Sequence, residues 1–237
     1  MVKPTRRNFV AGAVAGMVAP GIFGGTREAN AQLVWTTTEW KLAEFRKIVA
    51  APARVKQMYN IMEINDGEFL GSIKNSLNGL HFGFGIPESQ IKIVAAMHGP
   101  ANMLNYDDYV WKKYKIGEWL KVNDPATGTS AEKNIFFPAA SVPVDEKAAN
   151  DPNNSQSTFQ AATIQNLQAR GVQFLSCHTA TEAQARHCIH RLKLLASPED
   201  VVQDMLAHTI PGTLVVASMV AAIALLQSEG RYTYMHV

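Results

Sequence analysis

The chain has 237 residues, 47% of them hydrophobic and 18% charged, which suits one globular domain, or one domain with extensions. Its formal charge of +2 rests on residues 1–31, which carry Lys3, Arg6, Arg7 and Arg27 against Glu28, so that the remainder is −1. A near-neutral chain has no general attraction for nucleic acid or anionic lipid, and partners of those kinds gain no support.

Residues 1–31 read as an export signal. Thr5-Arg6-Arg7-Asn8-Phe9-Val10 is a twin-arginine pattern, a Gly- and Ala-rich apolar run follows from Val10 to Phe23, and Ala29-Asn30-Ala31 supplies a cleavage site. The apolar run is broken by several Gly and by Pro20, and it falls short of the ~20 residues that a membrane span needs. The expectation is export through the twin-arginine translocase, already folded, to the periplasm, with no stable membrane anchor.

Residues 32–53 are expected to form an N-terminal extension whose amphipathic helix, Glu39 to Ala51, stops at Pro52 and packs on the domain or on a neighbouring subunit. The domain proper is expected over 54–237. Val55 to Ile64 alternates as a first strand, and Asn65-Asp66-Gly67 turns into a helix over Glu68 to Leu80. Gln90 to Met97 is a β-branched apolar run suited to a strand buried on both faces, broken by His98-Gly99-Pro100 before a helix at Ala101 to Leu104. Between Gly117 and Ser157 the pattern dissolves among Pro, Asn, Asp and Ser, which predicts an insertion or long loop rather than a linker between two cores.

Order returns with a helix over Thr158 to Arg170 closed by Gly171, then a buried strand over Val172 to Leu175. Thr179 and Glu182 have capping-box spacing for a helix from near Thr181. Ser197-Pro198 starts another helix, Thr213 to Val216 a strand, Met219 to Gln227 an apolar helix, and Tyr232 to His236 a last strand. About five strands and six helices in alternation predict an α/β domain on a mostly parallel sheet.

The chemically distinctive residue is Cys177, at the carboxyl end of a strand and just ahead of a helix N-terminus, where reacting groups collect in open sheets and where partial positive charge favours a thiolate. His178 beside it is a candidate for proton transfer, although neighbours in an extended strand point to opposite faces. The competing reading is a buried, inert thiol. Cys188 lies in an apolar stripe with Ala185, Ile189 and Leu192, about 12 Å along its helix, whereas a disulfide needs Cα atoms within about 7 Å. It is expected in the core rather than paired with Cys177. His98 ends the central strand at the same sheet edge, and it and Asn102 face the Cys177 crevice if their strands are neighbours.

His178, His187 and His190 with the cysteines do not match a regular metal spacing, and no metal site or cofactor is predicted. Dinucleotide, P-loop, nucleophile-elbow and zincin signatures are absent.

IKIVAAMHGPA at Ile91 to Ala101, GVQFLSCHTA at Gly171 to Ala180, and IPGTLVVASMVAAIALLQSEGRYTY at Ile210 to Tyr234 stand in an order that resembles the DsrE/DsrF-like (YchN-like) proteins of sulfur metabolism, in their exported branch. The resemblance covers Val55 to Val237 apart from residues 117–157. It implies a three-layer, Rossmann-like α/β domain that assembles as trimers or hexamers, and a persulfide carried on the cysteine at the Cys177 position. From their places in the sequence, His178 is the candidate to assist it, and His98 and Thr179 are candidates to line the ligand site. A protein that donates or accepts sulfur is the partner so implied. A non-catalytic module binding a small ligand or partner in the same crevice is the alternative, and a metal- or haem-associated role a further one.

Overall fold

The computed structural model describes residues 34–138 and 150–237. The expected export signal lies outside the described residues, as does the middle of the expected insertion.

Five strands form one sheet in the order β4-β3-β2-β1-β5: β1 Val55–Ile61, β2 Ile91–Met97, β3 Gln173–Cys177, β4 Thr213–Val216 and β5 Thr233–His236. Every pairing is parallel. The period of two in β2 sends Ile93, Ala95 and Met97 to one face and Val94 and Ala96 to the other, which is why its apolar run is continuous.

The helices divide between the two faces. α2 (Glu68–Asn78), α3 (Asp108–Lys113), α4 (Ile116–Leu120), α5 (Ile164–Ala169), α6 (His178–Leu192) and α7 (Pro198–Ala207) contribute to the larger core, with a 3-10 helix at Gly99–Asn105. α1 (Leu42–Ala50) and α8 (Met219–Ser228) cover the opposite face through Phe45, Val49, Met219, Ala222 and Leu226. The result is the three-layer α/β architecture with a parallel, Rossmann-like sheet. No described helix is long and apolar enough to cross a membrane.

Several element bounds differ from the expectation for local reasons. The helix expected over 158–170 begins at Ile164, because the Asn166 side-chain amide donates to the carbonyls of Thr158 and Ala161 and Thr163 caps the first turn. The helix expected from near Thr181 begins at His178, and no side chain caps it, so the Thr179–Glu182 capping box is not formed. α1 packs on its own domain, with Phe45 and Val49 buried.

The described part of the expected insertion is built into the larger core. Val122, Ala131 and Phe136 are buried in it. Asn134 is buried as well, its amide donating at 2.8 Å to the carbonyls of both Leu104 and Tyr106. Gly117 lies so close to residue 131 that an added Cβ would stand 2.3 Å from the Ala131 carbonyl oxygen. Gly117→Ala is therefore expected to lower stability by roughly 1–3 kcal/mol, read as a lower denaturant midpoint with an unchanged m-value.

Candidate functional site

The chain leaves β3 and β4 in opposite directions. β3 runs directly into α6 on the larger-core face, while β4 leads through Ser218 into α8 on the other. Adjacent strands whose connections part in this way open the crevice that receives ligands in α/β sheets. Cys177, the last residue of β3, stands there, in register with Val216 of β4.

Alternation turns the Cys177 side chain to the α8 face, among residues that include Leu175, Val216 and Met219. Its sulfur accepts a hydrogen bond from the Met219 amide, at the first residue of α8, at 3.3 Å. It also lies 3.1 Å from the Thr179 hydroxyl. The helix whose N-terminus faces the sulfur is thus α8 rather than α6, for which Cys177 is only the residue preceding the first turn. The Thr179 hydroxyl can accept from a thiol and can donate to a thiolate, while the Met219 amide donates in both cases. Both forms of the sulfur therefore find partners without movement of the backbone.

Asn102 holds this turn from below. Its side-chain oxygen accepts from the Cys177 amide at 2.8 Å and from the Ser176 hydroxyl at 2.9 Å, and its nitrogen donates to Gln184 at 2.9 Å. The Thr181 hydroxyl donates to the Cys177 carbonyl at 3.0 Å, and lies 2.6 Å from the Tyr106 hydroxyl. Asn102 is fully buried and points into this network, so it does not share the crevice with His98.

His98 follows β2, the neighbour of β3. It is half-buried, with Nε2 2.7 Å from the Asn60 side-chain oxygen, and Asn60 in turn donates to the Tyr234 hydroxyl at 2.8 Å. An Asn oxygen accepts, so Nε2 carries the proton and Nδ1 is left as an acceptor. Burial pushes the pKa of His98 down and keeps the ring neutral.

His178 is buried, its ring stacked on Trp35 with centroids 3.7 Å apart. Nδ1 makes no hydrogen bond and is 4.0 Å from the buried Glu182 carboxylate, which faces Arg186 at 3.6 Å. Burial holds the pKa of His178 down at about 4, against the opposing pull of Glu39.

The two cysteines are free and occupy opposite faces of the sheet, Cys188 in the larger core. Burial pushes the Cys188 thiol up to about 11. The remaining histidines disperse: His187 stacks on Trp119, and His208 pairs with Asp107, the cap of α3, at 2.9 Å. Among the described residues no group of three or more His, Cys, Asp or Glu is placed to hold a metal ion. A cavity of about 440 Å³ lined by Gln168, Gly171, Val172, Gln173, Pro211 and Gly212 lies at the amino ends of β3 and β4, away from Cys177, and has no ionisable lining residue.

Sequence reasoning thus located Cys177 and Thr179 together, but it assigned Thr179 to a helix cap and missed the Met219 amide, the Asn102 clamp, the Asn60–Tyr234 support of His98 and the Trp35 ring. Comparison with known proteins gives no match, whether to protein-family models, to curated proteins or to solved structures.

Two outcomes are expected. Asn102→Ala leaves the Cys177 amide and the Ser176 hydroxyl buried without their acceptor, and is expected to cost about 2–4 kcal/mol in chemical denaturation. For His178, the unfolded ring titrates near 6.5 and the folded one near 4, so the unfolded chain binds the extra proton between these values. The stability held by neutral His178 is fully present above 6.5 and is lost as pH falls toward 4. Wild type is expected to lose more stability than His178→Gln over that window, measured by denaturant midpoints at each pH.

Proposed function

We propose that the protein is a sulfur carrier of DsrE/DsrF-like type, acting in the periplasm, with Cys177 as the atom that accepts and passes on sulfane sulfur. The observation that carries this reading is the sulfur's position at the parting of β3 and β4, with the Met219 amide of α8 and the Thr179 hydroxyl directed at it. A backbone donor on the first turn of a helix stabilises negative charge on sulfur, in the attacking thiolate and in the terminal sulfur of a persulfide alike.

With thiosulfate as donor, the Cys177 thiolate attacks the outer sulfur. The donor's S–S bond breaks, its electron pair leaves on sulfite, and the new S–S bond makes a cysteine persulfide, with no external oxidant or reductant. An acceptor thiolate then takes the terminal sulfur by the same exchange. His178, the next residue in the chain, is the group proposed to receive or return a proton. Assembly as a trimer or hexamer and exchange with a sulfur-donating or sulfur-accepting protein belong to the same reading.

A second reading rests on one observation, the 3% exposure of Cys177. A thiol so covered suits a non-catalytic module that binds a small ligand or a partner, with Cys177 as a structural element of the crevice.

Incubation of the protein with thiosulfate or polysulfide, followed by intact mass measurement, separates the two. The sulfur-carrier reading expects an adduct of one sulfur atom, reversed by a reducing thiol and absent from Cys177→Ser. Absence of the adduct, with Cys177 inert to alkylating agents in the folded protein, favours the binding module.

A further inference from the structure

The amino ends of the strands, opposite the end that carries Cys177, hold a group of cations. Alternation puts Lys56 of β1 on the face of Met58, and Lys92 of β2 on the face of Val94, the face that α1 and α8 cover. The two lysines are direct register partners on adjacent parallel strands. Their Cα atoms therefore stand about 5 Å apart, and like charges so placed repel and lower stability. Lys47, in the last turn of α1, adds a third positive charge.

No carboxylate answers them. The acids nearest to them in the sequence are engaged elsewhere: Glu44 pairs with Lys41, Glu88 with Arg170 and Glu229 with Arg46. Among the described residues none of the three lysines has an ion pair. Lys56 is spent within the fold. Its ammonium donates to the Val49 carbonyl at 2.9 Å and stands 4.5 Å from the centroid of the Tyr232 ring, and burial pushes its pKa down.

Lys47 and Lys92 are not spent. They line a cavity of about 230 Å³ between the end of α1 and the starts of β2 and β3, whose walls include Ile48, Val94, Gln173 and Tyr232. The Gln173 amide nitrogen is committed to the carbonyls of Phe174 and Gly212, both at 3.0 Å, and the Tyr232 hydroxyl to that of Ile48 at 2.9 Å. The side-chain donors left to a ligand are the two ammonium groups.

We propose that this cavity binds a small organic dianion, a dicarboxylate with a short apolar chain, at a site separate from Cys177. Two ammonium groups without a lining carboxylate set the charge of the ligand, and Ile48, Val94 and the Tyr232 ring suit its apolar middle. The volume sets its size: at ~30 Å³ for each water-sized group there is room for about eight heavy atoms. That admits a short diacid and excludes a nucleotide. An anion held by Lys92 also offsets its repulsion from Lys56, so binding is expected to stabilise the fold beyond simple occupancy.

The full chain is titrated calorimetrically at low ionic strength and neutral pH with glutarate, with neutral glutaramide and with inorganic sulfate. Glutarate is expected to bind, glutaramide not to bind, and sulfate to bind more weakly. Lys92→Met and Lys47→Met keep the apolar stem and remove the charge, and each is expected to weaken glutarate about ten-fold. Lys133→Met, which removes the same charge from an exposed position outside the cavity, is expected to leave the affinity unchanged.

Stability gives a second readout that does not depend on finding the right diacid. In urea without ligand, Lys92→Met is expected to unfold at a higher midpoint than wild type, because one of two like charges is gone. Added glutarate is then expected to raise the wild-type midpoint and not that of the variant. A Lys92→Met chain less stable than wild type means that Lys92 already has its partner within the protein, and overturns the site. Equal weakening of glutarate by Lys92→Met and Lys133→Met reduces the effect to general electrostatics and overturns it too, as does the absence of glutarate binding. Sulfate bound as tightly as glutarate overturns the dicarboxylate class.

Discussion

The buried side-chain amide of Asn102 closes the sheet where β2 and β3 separate. A parallel ladder would continue by bonding the Cys177 amide to the neighbouring strand, but the chain turns into α6 at that residue and its N–H needs another acceptor. The Asn102 oxygen supplies it, and takes the Ser176 hydroxyl as well. The nitrogen of the same amide reaches Gln184 on α6, whose own amide donates to the Gly99 carbonyl at 2.6 Å. One side chain from the turn after β2 thus fixes the end of β3, the start of α6 and the spacing between them. In a site removed from water an unmet donor costs more than the bond itself is worth, so this network holds the turn in one geometry.

Fixing that turn fixes the direction of the sulfur. Because Cys177 is the last extended residue, its side chain keeps the alternation of β3 and faces α8, while its peptide bonds engage the other layer. The main chain and side chain of one residue are therefore held by opposite faces of the sheet. Repositioning of the sulfur requires a change in β3, in α8, or in the register of Cys177 with Val216, and each is buried.

The sheet was legible in the sequence because its signals are local. The β-branched run Ile91 to Met97, the Pro and Gly that bound it, and the Ser197-Pro198 start all act within a few residues, and the strands and α7 lie where those signals put them. The site was legible only as far as Cys177 and its place at a strand end. The capping box failed because the Thr179 hydroxyl lies against a sulfur made available by the tertiary fold, and a sulfur two residues away is not part of the motif's local chemistry. Asn102 sits in a short Gly-Pro-Ala-Asn segment with no periodicity, and the partners it joins on β3 and α6 come from residues 74 to 82 positions away. The loop after Gly117 read as unstructured because its anchors, Asn134 and Phe136, are single residues without a pattern.

Burial by itself does not distinguish the two cysteines of this chain, but their hydrogen-bond partners do. Cys188 is fully buried on a helix face, in the larger core, where burial pushes its thiol up to about 11 even with Arg191 nearby. A sulfur in that setting is kept protonated, and the protonated form is a poor nucleophile. Cys177 is almost as well covered, but it meets a main-chain N–H that cannot rotate away and a hydroxyl that can reverse its bond. The first partner can only donate to the sulfur, and the second can donate or accept. The Trp35 ring ahead of α1 lies on His178, the residue that follows Cys177.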